Sequence, residues 1–173
     1  MVEVKKTKGW KHYVGLLSSF FVLICILVLC SILFFYDRVT VPTASMHPTI
    51  QMFDRLLVTR STDIRRGDIL TFWSTEHDIT LVKRVIGLPG ERVELRSGEV
   101  WIDGQRLLEP YVSQLFWDDH VFDVPHGHYL FLGDNRASSS DARVWSNPYI
   151  GEEFIRGRVV FRYYPVVRLG RVN

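Results

Sequence analysis

The chain has 173 residues, 47% of them hydrophobic and 23% charged, which leaves room for one domain plus an accessory element. That balance excludes a disordered or fibrous protein, and a formal net charge of +2 is too small to argue for a nucleic-acid partner. The charge is unevenly placed: residues 1–36 carry Lys5, Lys6, Lys8 and Lys11 against Glu3, a net +3, while the remainder carries −1.

Residues 13–36, YVGLLSSFFVLICILVLCSILFFY, hold 24 consecutive positions without a charge. As a helix the run spans roughly 36 Å at ~1.5 Å per residue, against a hydrocarbon core of about 30 Å. Lys11 and His12 bound it on one side, Asp37 and Arg38 on the other, and Tyr13, Phe34, Phe35 and Tyr36 place rings near both interfaces. A cleavable secretory signal also begins with basic residues, but its apolar core is shorter, and no A-x-A site follows closely here. The segment therefore reads as a retained anchor. The lysines before it put residues 1–12 in the cytoplasm and residues 37–173 outside, on the periplasmic or cell-surface side. Cys25 and Cys30 lie inside the run, match no metal or redox spacing, and read as small apolar fillers.

Residues 37–173 read as β-rich. Runs of β-branched and aromatic residues recur at 55–59, 68–73, 80–86, 92–95, 99–102, 127–132 and 156–164, separated by turn residues such as Pro89-Gly90 and Ser97-Gly98. Residues 100–107 predict a hairpin around Asp103-Gly104. The expected fold is mainly β: a small antiparallel, coiled, barrel-like domain behind one transmembrane helix.

Three segments carry chemistry. In Pro42–Ile50, two prolines bracket Ser45 and stiffen the backbone that aims its hydroxyl, although a proline-rich linker reads equally well. In Leu81–Gly90, strand alternation puts Lys83 on one face with Leu81 and Val85. An amine on an apolar face is costly unless neutral, and a neutral amine can take a serine proton; a snorkelling lysine is the alternative. Gly133–Arg143, GDNRASSSDAR, is dense in glycine, charge and hydroxyls, as in a loop bracing a site or a polar turn.

Taken in order, these segments and the strand Gly67–Phe72 resemble bacterial signal peptidase I, the Ser–Lys class of signal-peptide-cleaving enzymes. KRVIGLPG and GDNR are the most specific parts. The resemblance implies Ser45 as acylating nucleophile and Lys83 as general base. Thr43 falls where the family commonly has an oxyanion-hole serine, and Ser139 matches the serine that orients the lysine amine. Asp134, Arg136, Asp141 and Arg143 match the site-bracing charges. Three features depart from the pattern: Ala142 stands where a serine is common, Ala137-Ser138 replaces a frequent Asp-Asn pair, and the second domain of some relatives is expected to shrink to a hairpin around 97–122.

The implied reaction is acyl transfer without metal or cofactor, on signal-peptide-bearing preproteins bound as an extended strand and cut after small residues. Met46, Ile50, Leu81 and Val82 are the expected lining. Ser45 lies nine residues beyond Tyr36, so cutting within ~30 Å of the bilayer is expected. Phe53, Phe116 and Trp117 are read as core rather than lipid-facing, and a monomer is expected. Rival readings are a Ser–His variant, for which His47 is too close to Ser45 in the chain and His77, His120, His126 and His128 sit in no matching box, and a self-cleaving Ser–Lys repressor-type protease. A specialised peptidase of a secretion, pilus or conjugation system and an inactive membrane-tethered β-module complete the set.

Overall fold

The structure is a computed structural model and describes residues 8–60, 63–113 and 117–172. The described chain falls into two compact units dividing between Tyr36 and Asp37. The first is one helix, α1 (Lys8–Phe35). From Tyr13 onward it carries apolar side chains on every side, with Leu17, Phe20, Phe21 and Leu27 all exposed. A helix apolar all round needs apolar surroundings, and the stretch His12–Ser31 is long and apolar enough to cross a membrane. Both cysteines lie on it, exposed and unpaired. The helix ends at Phe35, and Tyr36 opens the first strand.

The second unit holds β1 (Tyr36–Thr40), β2 (Arg55–Thr59), β3 (Ile69–Ser74), β4 (Ile79–Gly87), β5 (Arg92–Arg96), β6 (Glu99–Ile102), β7 (Gln105–Leu107), β8 (His120–Asp123), β9 (His128–Leu132), β10 (Tyr149–Gly151), β11 (Ile155–Tyr164) and β12 (Gly170–Arg171). The larger sheet runs β1-β2-β11-β3-β4-β9-β10, with β12 beside β11, and the smaller runs β7-β6-β5-β8. Pairing from β2 through β10 and throughout the small sheet is antiparallel. The expected mainly β, antiparallel fold behind one apolar helix is present, as two sheets, and no closed barrel forms among the described residues.

One apolar core joins the sheets. Leu70, Phe72, Val85, Leu130, Phe131 and Leu132 from the large sheet pack with Val93, Leu95, Val100 and Phe122 from the small one. Each such buried side chain contributes about 1.5–3 kcal/mol. A second cluster, built on Met46, Ile50, Leu56, Val58, Ile69 and Val159, lies under the loop that carries Ser45.

The predicted hairpin is present, with Asp103 (φ 48°) and Gly104 (φ 79°) supplying the two left-handed residues of a tight turn. It is half of a larger element, however. Glu94 also pairs with Val121, so β8 returns to complete a four-stranded sheet where only a hairpin was expected. Phe53 and Trp117 are not core, being 66% and 69% exposed, and Phe116 lies outside the described residues. Phe53 sits in the turn before β2 with φ 65°, its N–H bonded to the Val41 carbonyl and its ring turned outward.

Candidate active site

Ser45 lies on the excursion between β1 and β2, whose ends are stitched together by Val41 N–H to Asp54 O (3.0 Å) and Phe53 N–H to Val41 O (2.7 Å). Asp54, fully buried, accepts from Gln51 N–H (2.9 Å) and pairs with Arg168 (2.5 Å). Met46 and Ile50 anchor the loop from below, and Met46 O accepts from Ile50 N–H at 2.8 Å. Ser45 is 7% exposed, and its Oγ lies 3.3 Å from Thr43 Oγ1. Asn135 fastens the loop from across the domain: its N–H donates to Ser45 O (3.0 Å) and its Nδ2 to Ala44 O (3.2 Å).

Lys83 comes from the middle of β4, paired with Leu70 of β3, and is 3% exposed. Burial is the main force on its amine, lowering its pKa from 10.5 to about 8; Asp141 pulls upward, Arg143 downward and Asp134 upward. On the other side of β4, Arg84 is opposite Leu132 of β9, so continuing that register by one residue sets Gly133 opposite Lys83. Gly133 is where the segments converge. A Cβ there would lie 2.5 Å from Ser45 O and 2.6 Å from Ser139 Cβ, so only glycine permits this approach. Ser139 Oγ, also against Gly133, is buried and helps to hold the Asp141 carboxyl below its usual range. Among the described residues no direct hydrogen bond joins Ser45 Oγ to Lys83; catalytic bonds of this kind commonly tighten only with substrate bound.

The charged residues form three buried pairs. Arg143 Nε donates to Asp141 Oδ1 (2.7 Å) and its Nη2 to Asp141 Oδ2 (2.8 Å). Burial alone would raise the Asp141 carboxyl, but Arg143 and the Gly133 N–H (3.0 Å) hold it below its usual range. Arg84 grips both oxygens of Asp134 at 2.8 and 2.7 Å. Arg136 does the same to Glu109 at 3.0 and 2.6 Å. Such forked, charge-assisted bonds fix orientation as well as charge.

The four expected lining residues divide between the two cores. Met46 and Ile50 are fully buried in the second cluster, with Val82 packed against it, whereas Leu81 packs against the first. Ala142 is buried in the apolar core, which suits a methyl better than a hydroxyl, and Ala137 and Ser138 sit exposed in a 3₁₀ turn. Sequence reasoning passed over Gly133, Asn135, Arg84, Thr49, Glu109 and Tyr111. The first four lie inside the recognised segments, whereas nothing local marked Glu109 or Tyr111.

Comparison with known proteins agrees with this arrangement. Residues 14–164 match the family described as signal peptidase, peptidase S26. The chain is 39% identical over 148 residues to a signal peptidase I of Leptolyngbya laminosa, covering 77% of this chain and 71% of the relative. It is 33% identical over 147 residues to signal peptidase I T of Bacillus subtilis, with 76% of each covered. A crystal structure of a signal peptidase I from Enterococcus faecalis superposes with a TM-score of 0.51 at 32% identity, over 56% of this chain and 97% of that one. An apolar N-terminal helix and this degree of likeness lead to one conclusion: the chain belongs to the signal peptidase family S26, as a membrane-anchored serine endopeptidase of the signal peptidase I type.

Proposed function

We propose that this signal peptidase removes signal peptides from exported preproteins by acyl transfer between Ser45 and Lys83, cutting after small residues. The observation that carries the reading is the burial of Lys83 in β4, where its amine loses its proton near pH 8, one residue from the Arg84–Leu132 pair that leads into the glycine that Ser45 and Ser139 abut.

Neutral Lys83 takes the Oγ proton as Ser45 attacks the scissile carbonyl, and the resulting ammonium returns it to the leaving amine. The tetrahedral oxyanion accepts from the Ser45 N–H and from Thr43 Oγ1–H, whose oxygen already lies 3.3 Å from Ser45 Oγ. Ser139 Oγ, buried beside Asp141, donates to that carboxylate and accepts from the ammonium, holding it in place. Water activated by the same amine then releases the acyl-enzyme. Asp134, Arg136, Asp141 and Arg143 keep loop and strand in register. Met46 and Ile50 act beneath the loop, shaping it from within, while half-buried Leu81 and Val82 are better placed to meet the peptide.

The domain plan follows the charge asymmetry: residues 1–12 cytoplasmic, 13–36 spanning, and 37–173 as the extracytoplasmic peptidase domain, active as a monomer. Purified protein should release a mature preprotein with an A-x-A-like site before the new N-terminus, and Ser45→Ala should abolish the release. Cleavage by Ser45→Ala at the wild-type rate refutes the nucleophile. Labelling of single cysteines introduced on either side of α1 in intact cells tests the orientation, and is refuted by a reactive site before Tyr13 with none after Asp37.

A further inference from the structure

The segment that follows β7, Glu109-Pro110-Tyr111, belongs to neither the serine loop nor the lysine strand, yet both of its polar side chains reach the buried arginines of the site. Arg136 lies between Glu109 and the centre: its two terminal nitrogens fork onto Glu109, at 3.0 and 2.6 Å, while Nε donates to Gly133 O at 3.0 Å. The side chains are 3% and 8% exposed, so neither charge has water to fall back on. Gly133 is the residue against which Ser45 O and Ser139 close, and Asn135, which clips the carbonyls of Ala44 and Ser45, directly precedes Arg136. Glu109 is therefore one side chain removed from the backbone that sets the serine.

Tyr111 works on the other half. Its ring lies under the Arg84 guanidinium, 3.9 Å from Cζ to the ring centroid. Arg84 follows Lys83 on β4, and its fork onto Asp134 extends to the serine loop through Thr49 Oγ1–H, which donates to Asp134 Oδ2 at 2.6 Å. The Tyr111 hydroxyl donates to Glu109 Oε1 at 2.9 Å, tying the two routes together. Burial and the neighbouring Glu109 raise the phenol's pKa, so it stays a donor across the working range.

We propose that Glu109 and Tyr111 are positioning residues for the reaction, a strap from the small sheet that holds Arg136 and Arg84 and thereby fixes Ser45 and Lys83 relative to each other. The proposal rests on the Ser45–Lys83 reading given above. Loosening the strap lets the serine loop drift and lets water return to Lys83, so chemistry slows, the amine's pKa climbs back toward 10.5, and peptide binding changes little.

The test compares full-length wild type, Glu109→Gln, Tyr111→Leu, Tyr111→Phe and Ser45→Ala in lipid vesicles, cleaving one preprotein across pH 6–10. Glu109→Gln and Tyr111→Leu are expected to lower kcat about tenfold or more, with KM within about twofold, and to move the acid limb of kcat/KM to higher pH. Tyr111→Phe keeps the ring under Arg84 but loses the bond to Glu109, so its kcat and limb should fall between those of the wild type and Tyr111→Leu. A wild-type kcat and limb in both disruptive variants overturns the strap. So does a loss of kcat that only tracks the folded fraction in a melting experiment, with the limb unmoved. Ser45→Ala separates the two levels: if it is inactive, the result for the strap stands on its own, and if it still cleaves, the serine reading and the strap fall together.

Discussion

Replacing Lys83 with methionine should destroy the enzyme and stabilise the protein, and the stabilisation should depend on pH. The folded-state pKa of about 8 lies some 2.5 units below the ordinary 10.5, which corresponds to about 3 kcal/mol of cost for holding the ammonium in the folded chain. Below pH 8 both folded and unfolded chains are protonated, and the wild type bears the whole cost. Between 8 and 10.5 the unfolded chain binds the extra proton, so wild-type stability rises with pH; above 10.5 the cost is gone. Methionine fills a similar volume without titrating. At pH 7 the variant should therefore be more stable by about 3 kcal/mol, the gap closing to the packing difference, under about 1.5 kcal/mol, near pH 10.5. Denaturant titrations of the full chain in detergent, followed by tryptophan fluorescence at pH 7 and 10.5, measure both ends. Preprotein cleavage should fall by about 10³-fold or more. A wild type as stable as the variant at pH 7, or a gap unchanged across the window, would mean that the amine is hydrated or ion-paired, and the proposed base would be lost with it.

The wild-type acid limb of kcat/KM should fall near pH 8, far below an ordinary lysine; a limb near 10.5 contradicts the burial argument. Thr43→Val, which keeps the shape and removes the donor, should lower kcat by about 10²–10³-fold with little change in KM, while Thr43→Ser keeps activity. Gly133→Ala drives a methyl to within 2.5 Å of the Ser45 carbonyl, so cleavage should collapse at a stability cost of about 1–3 kcal/mol; near-normal cleavage would show that the loop can yield. Asp141→Asn leaves Arg143 buried beside a neutral partner and should destabilise by about 3–5 kcal/mol, read as a lower denaturation midpoint at unchanged slope.

Much of the fold could be read where the pattern is local. β9 and most of β3 are rich in apolar residues because both of their faces are covered, β4 is covered on both faces from Lys83 to Gly87, and β6 and β7 are announced by Asp103-Gly104. β8 was missed because His120–Asp123 is short and bordered by Asp118 and Asp119; only its partner β5 makes it a strand. β1 and β10, five and three residues long, are likewise set by their neighbours. The site divides in the same way. Ser45, Lys83 and the GDNR segment each carry a local signature. Thr49 meets Asp134 across 85 positions, Arg84 meets the same carboxylate across 50, and Arg136 meets Glu109 across 27. No periodicity encodes such distances. Phe53 misled because a large aromatic side chain reads as core by its type alone, whereas it sits in a turn with positive φ and its ring is exposed.

The three buried pairs also explain how a lysine can be kept neutral amid so many charges. One uncompensated carboxylate beside Lys83 would stabilise the ammonium and raise its pKa, undoing the effect of burial. Asp141 does pull in that direction, but Arg143 is locked to it by two bonds and pulls against it. Asp134 is matched by Arg84 and Glu109 by Arg136, so each carboxylate carries its own guanidinium. With the charges cancelled pairwise, burial remains the largest influence on the amine. The pairs therefore need not add net stability to be useful: buried ion pairs often add none, and here they supply rigid geometry without a field that would recharge the base. Substituting one member of the Asp141–Arg143 pair, both of which act directly on Lys83, should thus shift the acid limb in a direction set by the charge that is left, upward where the carboxylate keeps its charge and downward where the guanidinium does. Arg143→Gln and Asp141→Asn, measured together, should displace the limb in opposite directions, and a shift of the same sign in both would show that loosened packing, not charge cancellation, governs the lysine.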